Sequence, residues 1–210
     1  MKSITLFAAL MILLTAGNLN AQSTMGFTAG ASFARLSNSG FSPASTTLNA
    51  GFTAGMYLDL KIARDLTCQP ALNFVQKNYV QSDVDAKNSL KLCYLEIPVN
   101  IVYHIKGLSL GAGPSVGVGV AGKSKHIDKV NGINSSFNDI EFGNKNEDFY
   151  LKPNNLGLNF LAGYRVRSVL FAGEYNFDLT DINPDRSGPK IKYGYFSLKI
   201  GYEFGHEKNK

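Results

Sequence analysis

The sequence predicts an all-β protein, an eight-stranded antiparallel up-and-down transmembrane β-barrel, and three observations carry that prediction. The first is the stretch 108–120. Leu108, Leu110, Ala112, Pro114, Val116, Val118 and Val120 alternate there with Ser109, Gly111, Gly113, Ser115, Gly117 and Gly119. A period of two is the signature of a strand. The run is about twice the usual strand length of roughly 5–6 residues, and one of its faces has almost no side chains. A wall that is apolar on one side and small or polar on the other suits a barrel whose outside touches lipid. The second observation is that seven more stretches repeat this alternation. The third is that the connections between the eight alternate strictly between long and short.

Taken in order, residues 25–34 set Phe27, Ala29, Ala31 and Phe33 against Thr28, Gly30 and Ser32. Residues 49–60 set Ala50, Phe52, Ala54, Met56, Leu58 and Leu60 against Gly51, Thr53, Gly55, Tyr57 and Asp59. Residues 66–79 place Leu66, Cys68, Pro70, Leu72 and Phe74 outside, with Thr67, Gln69, Asn73 and Lys77 inside. In 90–103 the outer set runs from Cys93 to Tyr103, and Tyr94, Glu96, Pro98 and Asn100 face inward. The run from Leu108 continues to Gly122 as the fifth strand. Residues 154–165 put Leu156, Leu158, Phe160, Ala162 and Tyr164 outside. Residues 169–178 oppose Val169, Phe171, Gly173, Tyr175 and Phe177 to Ala172, Glu174 and Asn176. The last strand, 192–204, opposes Phe196, Leu198, Ile200, Tyr202 and Phe204 to Tyr195, Ser197, Lys199 and Glu203.

Connections 35–48, 80–89, 123–153 and 179–191 are long and polar, whereas 61–65, 104–107 and 166–168 are short. Long loops on one side and tight turns on the other are the pattern of an outer-membrane barrel. A soluble sandwich has no reason to sort its loops by parity. Each stretch also reaches the roughly 9–11 residues that a transmembrane strand needs.

The chain of 210 residues is long enough for one such barrel. Its start, Met1-Lys-Ser-Ile-Thr-Leu-Phe-Ala-Ala-Leu-Met-Ile-Leu-Leu, has one Lys, a short apolar core and Ala21 before Gln22. That layout predicts a cleavable signal peptide over 1–21; the core is too short for a membrane-spanning helix, which wants about 20 apolar residues. The barrel then covers 22–204, and 205–210 form a periplasmic tail. Lys2 is the only charge in 1–21, so the mild basic balance (formal +5) survives its removal. No basic stripe with interleaved aromatics suggests nucleic acid. The two cysteines, Cys68 and Cys93, fall on the apolar face, near Asn100 and Val75 of the facing strands. That is too far apart for a disulfide, so both are expected to be lipid-facing hydrophobes.

The alternate face must point into the barrel, since its polar atoms find no partner in hydrocarbon. It collects Asp59, Lys77, Glu96, Arg165, Glu174, Lys199 and Glu203. Eight strands enclose room for side chains only, so these charges are expected to pair as a structural plug, with a proton or ion path as the alternative. The glycines of 108–120 are expected to yield space to inward residues such as Tyr94 or Arg165. Phe33, Tyr57, Tyr79, Tyr103, Tyr164, Phe177, Tyr193, Tyr202 and Phe204 lie near strand ends and read as interfacial girdles.

Candidate chemistry is thin. His104, His126 and His206 have no Ser, Asp or Glu at a spacing that suggests a nucleophile–base pair. Asp181, Asn183 and Asp185 match the first ligands of a calcium loop, but Gly is missing at its sixth place and an acid at its twelfth. That segment reads as a turn. No catalytic residue, metal site or cofactor is expected. Loop 123–153 balances five Lys against five acids and names no ligand.

Tyr94-Leu-Glu-Ile-Pro-Val99, followed by Gly107-Leu-x-Leu-Gly-Ala-Gly-Pro114, resembles the PorT-like outer-membrane β-barrel domain proteins. Gly201-Tyr-x-Phe204 and the signal ending Ala21-Gln22 are similar as well. The resemblance implies an eight-stranded barrel in the outer membrane of a Gram-negative-type cell. The family takes its name from a member needed for a secretion system that exports proteinases. One departure is that Phe204 is followed by Gly-His-Glu-Lys-Asn-Lys, where barrels often end on an aromatic. The expected role is non-enzymatic: structural, surface-interacting or secretion-accessory. A small pore is the alternative, and a lipid-modifying enzyme with a histidine near the outer rim, where only His126 qualifies, is a third class. The expected partners are outer-membrane lipid around a monomer and proteins met through loops 35–48, 123–153 and 179–191.

Overall fold

The computed structural model describes residues 23–38, 46–82, 86–128, 134–143, 150–181 and 191–204. The expected signal peptide 1–21 and tail 205–210 lie outside these. The described chain forms β1 (Ser23–Asn38), β2 (Thr46–Leu48), β3 (Ala50–Ala63), β4 (Leu66–Ser82), β5 (Ala86–Ile105) and β6 (Leu108–Asp128). It continues with β7 (Asn134–Asp139), β8 (Glu141–Phe142), β9 (Tyr150–Leu151), β10 (Asn154–Val166), β11 (Val169–Asp178) and β12 (Ile191–Phe204).

Eight of these strands close a ring. The antiparallel order is β1–β3–β4–β5–β6–β10–β11–β12, and β12 returns to β1 with Met25 opposite Phe204 and Asn38 opposite Ile191. The β6–β10 pairing, from Asn154 opposite Val118 to Tyr164 opposite Leu108, spans the longest excursion of the chain. These eight are the strands expected from the sequence, in the same order. Closure gives every ladder two neighbours, which is what hydrocarbon demands of a backbone.

Burial is inverted relative to a soluble sheet. Leu198 and Ile200 are 54% and 55% exposed, whereas the residues before and between them, Ser197 and Lys199, are 0% and 4% exposed. The same inversion runs round the barrel, with Phe52, Phe160, Phe171 and Tyr202 about half exposed and Asn73, Asn100, Asn159 and Asn176 buried. The apolar face is therefore the outside. Cys68 and Cys93 are free and part-exposed on it, opposite Ile101 and Gln76, one position away from the expected neighbours.

At the tight-turn rim each connection has two residues. Lys106 and Gly107 both have positive φ (46° and 89°), as a type I′ hairpin turn requires. Arg167 holds a φ of 55°, which a non-glycine residue adopts at some cost. Backbone bonds knit neighbouring turns together: His104 N donates to Asp65 O, Arg165 N to Gly107 O and Glu203 N to Ser168 O, at 2.8–2.9 Å.

The opposite rim departs from expectation. The connection expected over 80–89 is largely a hairpin ladder, with Val80 opposite Ser89 and Ser82 opposite Lys87. Within the excursion 123–153 the described residues also form strands. β6 runs on to Asp128 against β5, β7 lies antiparallel along residues 123–128, and β8 pairs with β9 in parallel. β2 adds to β4. A bulge interrupts the alternation where Cys93 faces Ala121 but Tyr94 faces Gly119, so Val120 is the extra residue. Beyond it both faces carry polar residues, which hides these strands from a search for alternation. β5 and β6, at 20 and 21 residues, are about twice the span of a bilayer-crossing strand of roughly 9–11 residues.

A charge at the middle of the outer face tests which side meets lipid. Leu198→Arg should cost about 2–4 kcal/mol of stability in phospholipid vesicles, while Ser197→Ala, one residue away, should change it by less than about 1 kcal/mol. Urea unfolding followed by circular dichroism reads the difference.

Candidate functional site: the charged lumen

All seven charged residues assigned to the inner face lie inside the barrel, and each has an opposite charge in reach. They form three groups along the axis. Nearest the tight turns, Arg165 on β10 places Nη2 2.7 Å from Glu203 Oε2 on β12 and 3.5 Å from Asp59 Oδ2 on β3. Tyr57 OH donates to the same Glu203 oxygen at 2.9 Å, and Gln69 Nε2 and Thr67 Oγ1 donate to Asp59 Oδ1 at 2.9 and 3.2 Å. Further in, Lys199 Nζ on β12 meets Glu174 Oε2 on the adjoining β11 at 2.8 Å.

The third group lies towards the loop rim. Lys77 Nζ on β4 is 2.9 Å from Glu96 Oε1 on β5 and 3.1 Å from Asp178 Oδ2 on β11, and its side chain has no exposure. Tyr195 OH donates to Glu96 Oε2 at 2.6 Å, and Asn155 Nδ2 to Asp178 Oδ2 at 3.0 Å. The rings of Tyr94 and Tyr195 stand 4.6 and 5.1 Å from the ammonium, within cation–π range. The Lys77 group thus has both the opposite charges and the added hydrogen bonds that a buried ion pair needs.

Asp178 is missing from the sequence-derived set. The alternation Ala172, Glu174, Asn176 reaches it at the next step, but its place as the last residue of the strand makes it read as loop boundary. Tyr57 corrects a second reading: it is buried in the lumen against Glu203 and not part of a girdle. Tyr103, Tyr164, Phe177, Tyr202 and Phe204 do face outward.

The glycines of β6 also make room for other groups than expected. A side chain at Gly117 would run into Asn155 and Glu96, and one at Gly119 into the ring of Phe142. Phe142 packs edge-on against Tyr94. Ile140 and Phe142 thus pack onto Leu92 and Tyr94 at the loop end of the lumen.

One constellation goes beyond the sequence reading. His104 and Ser109 face each other across the Lys106-Gly107 turn, with His104 Nδ1 2.9 Å from Ser109 Oγ and Nε2 2.9 Å from Thr67 Oγ1. Thr67 bonds Asp59, so a relay Ser109–His104–Thr67–Asp59 joins β6, β5, β4 and β3 to the Arg165 group. The register of a two-residue turn is the signal that reveals it, because positions 104 and 109 are then opposite. Ser109 is 5% exposed. It lines a cavity of about 20 Å3 together with Asn100, Gln69 and Arg165, about the volume that one water needs.

Among the described residues no group of three metal-ligating side chains occurs. The turn read at Asp181, Asn183 and Asp185 lies, beyond Asp181, outside the described residues.

Removing one member of the Lys77 group leaves like charges buried together. Lys77→Met should cost about 3–5 kcal/mol, and combining it with Glu96→Gln and Asp178→Asn should recover most of that loss. Because the chain has no Trp, circular dichroism or the heat-dependent gel shift is the readout.

The outer membrane protein beta-barrel domain model matches residues 20–183. No curated protein matches the chain in sequence. Among solved structures, the attachment invasion locus protein Ail of Yersinia pestis is 15% identical, with a TM-score of 0.49, over 87% of this chain and 99% of that one. Neisserial surface protein A is 15% identical over 88% and 98%, with a TM-score of 0.44. A major outer membrane protein of Thermus thermophilus is 12% identical over 87% and 99%, with a TM-score of 0.46. With a closed ring of eight strands, an apolar exterior and a family match over most of its length, the chain belongs to the outer membrane protein beta-barrel domain family and is an outer-membrane protein.

Proposed function

We propose that this protein is a non-conducting, non-enzymatic outer-membrane barrel whose working surface is the ordered structure beyond its loop rim. In this reading the tight turns face the periplasm, residues 1–21 are a cleaved signal, and β7 with the ends of β4, β5 and β6 stands outside the cell. The observation that carries the proposal is Lys77. Its ammonium sits unexposed in the lumen, held by carboxylates from β5 and β11 and flanked by two tyrosine rings. Ions cannot pass such a group without breaking buried pairs that are costly to separate.

The same geometry argues against catalysis. The His104–Ser109 pair has the atoms of a base and a nucleophile, but Ser109 opens onto about 20 Å3, too little for a lipid or peptide. What remains is surface. β5 and β6 run on together past the outward pair Cys93 and Ala121 to Ala86 and Asp128, about 23 Å of strand at ~3.3 Å per residue. Natural proteins put contact residues on such scaffold-borne loops. A secretion-accessory role of the kind implied by the PorT-like resemblance is the narrower form of this reading: the export machinery would be met through 35–48, 123–153 or 179–191.

Two measurements test the proposal. Purified protein in planar bilayers should give no single-channel steps; regular steps would establish the pore reading instead. Protein recovered from membranes with 123–153 replaced by a short turn should keep its heat-shifted migration but lose partners that copurify with the intact chain.

A further inference from the structure

We propose that Lys91 and Lys123 form a docking site for the phosphate-bearing headgroup of an outer-leaflet lipid. The two residues are register partners on β5 and β6, with Lys125 two positions further along. Both Lys91 and Lys123 are exposed and lie on the outward face, because Leu92, the next residue on β5, is buried inward together with Tyr94. Residues directly opposite on a sheet face have Cβ atoms only about 4.5–5.5 Å apart, and like charges there are unfavourable. An anion with several acceptor oxygens reverses the sign: one phosphate takes a charge-assisted hydrogen bond from each ammonium.

The position beside lipid selects the source of the phosphate. Below the lysines, past Cys93 and Ala121, the same two strands present Leu95, Val116, Val118 and Val120, each 41–47% exposed. This is the end of an unbroken apolar column that starts at Leu108. Among the described residues, the outward positions of β4, β5 and β6 carry no carboxylate. Asp139 of β7 stands opposite Lys123 on its far side and bounds the site there. On the near side Asn78 of β4 is the partner of Lys91 and leaves the approach open. Flexible lysine stems let their ammonium groups reach the headgroup layer while their methylenes lie on apolar surface. A lipid therefore satisfies both halves of the surface: acyl chains on the valine column, phosphate between the ammonium groups. Free phosphate satisfies only one.

The site is separate from the lumen, so a conducting barrel would leave it unaffected. The test uses the full chain in a neutral detergent, with the midpoint of the heat-dependent gel shift followed against added phosphatidic acid. Diacylglycerol of the same acyl chains and inorganic phosphate are the comparisons. Phosphatidic acid should raise the midpoint, and both comparisons should leave it unmoved. Lys91→Gln/Lys123→Gln should weaken the phosphatidic acid response at least tenfold, and Lys91→Arg/Lys123→Arg should keep it. Lys192→Gln, on the far side of the same rim, should also keep it. An equal response to inorganic phosphate, or an undiminished response in the double glutamine variant, overturns the proposal. Should the double variant not fold, Lys91→Gln and Lys123→Gln singly give the same decision, each expected to weaken the response.

Discussion

The constraint on which everything else depends is that hydrocarbon offers no partner to a backbone N–H or C=O. A sheet placed there must close on itself, and in this chain it closes where β12 meets β1 and β6 meets β10. Closure sorts the side chains into two populations that cannot mix. The outer one must be apolar, so Leu198 and Ile200 are exposed; the inner one is shielded from both lipid and bulk water, so Ser197 and Lys199 are buried. The polar core is thus a consequence of the apolar coat.

A polar core carries its own requirement, since charges taken out of water must find each other. Here the pairs join strands that are distant in the chain: Lys77 and Asp178 are 101 residues apart, and Arg165 of β10 reaches Asp59 of β3. Buried ion pairs of this kind add little net stability compared with apolar packing, but a wrong register strands them unpaired. One residue of slip between strands would turn Lys77 outward into lipid and Phe74 or Gln76 inward. The ion pairs therefore act on closure and register, and they fill the middle of the lumen.

How much of this the sequence discloses follows from the same sorting. Where one face meets lipid and the other the lumen, alternation is strong, and all eight strands and all seven named lumen charges can be read from it. Beyond the membrane both faces of a strand meet water. The ladder of Val80–Ser82 with Lys87–Ser89, the end of β6 and all of β7 carry no such signal and read as loops, although their backbone pairs as regularly as the rest. Asp178 escapes for a related reason, lying where strand gives way to polar loop. The partners within the lumen are also hidden. Alternation says that Arg165 faces inward, but only the stagger of the closed ring says that it meets Asp59 and Glu203. Likewise, the glycines of β6 announce empty space without telling that Asn155 and Phe142 fill it.

The central claim, a membrane-embedded barrel with a closed lumen, is tested most directly by thiol accessibility. With Cys68 and Cys93 replaced by alanine, Ser197→Cys places a thiol inside the barrel and Lys123→Cys one outside the loop rim. In native membranes a charged, water-soluble thiosulfonate should modify the cysteine at 123 readily and leave the one at 197 unmodified until the protein is unfolded. Modification of both at similar rates in the folded protein would contradict the account, because it would mean that water and ions reach the middle of the lumen.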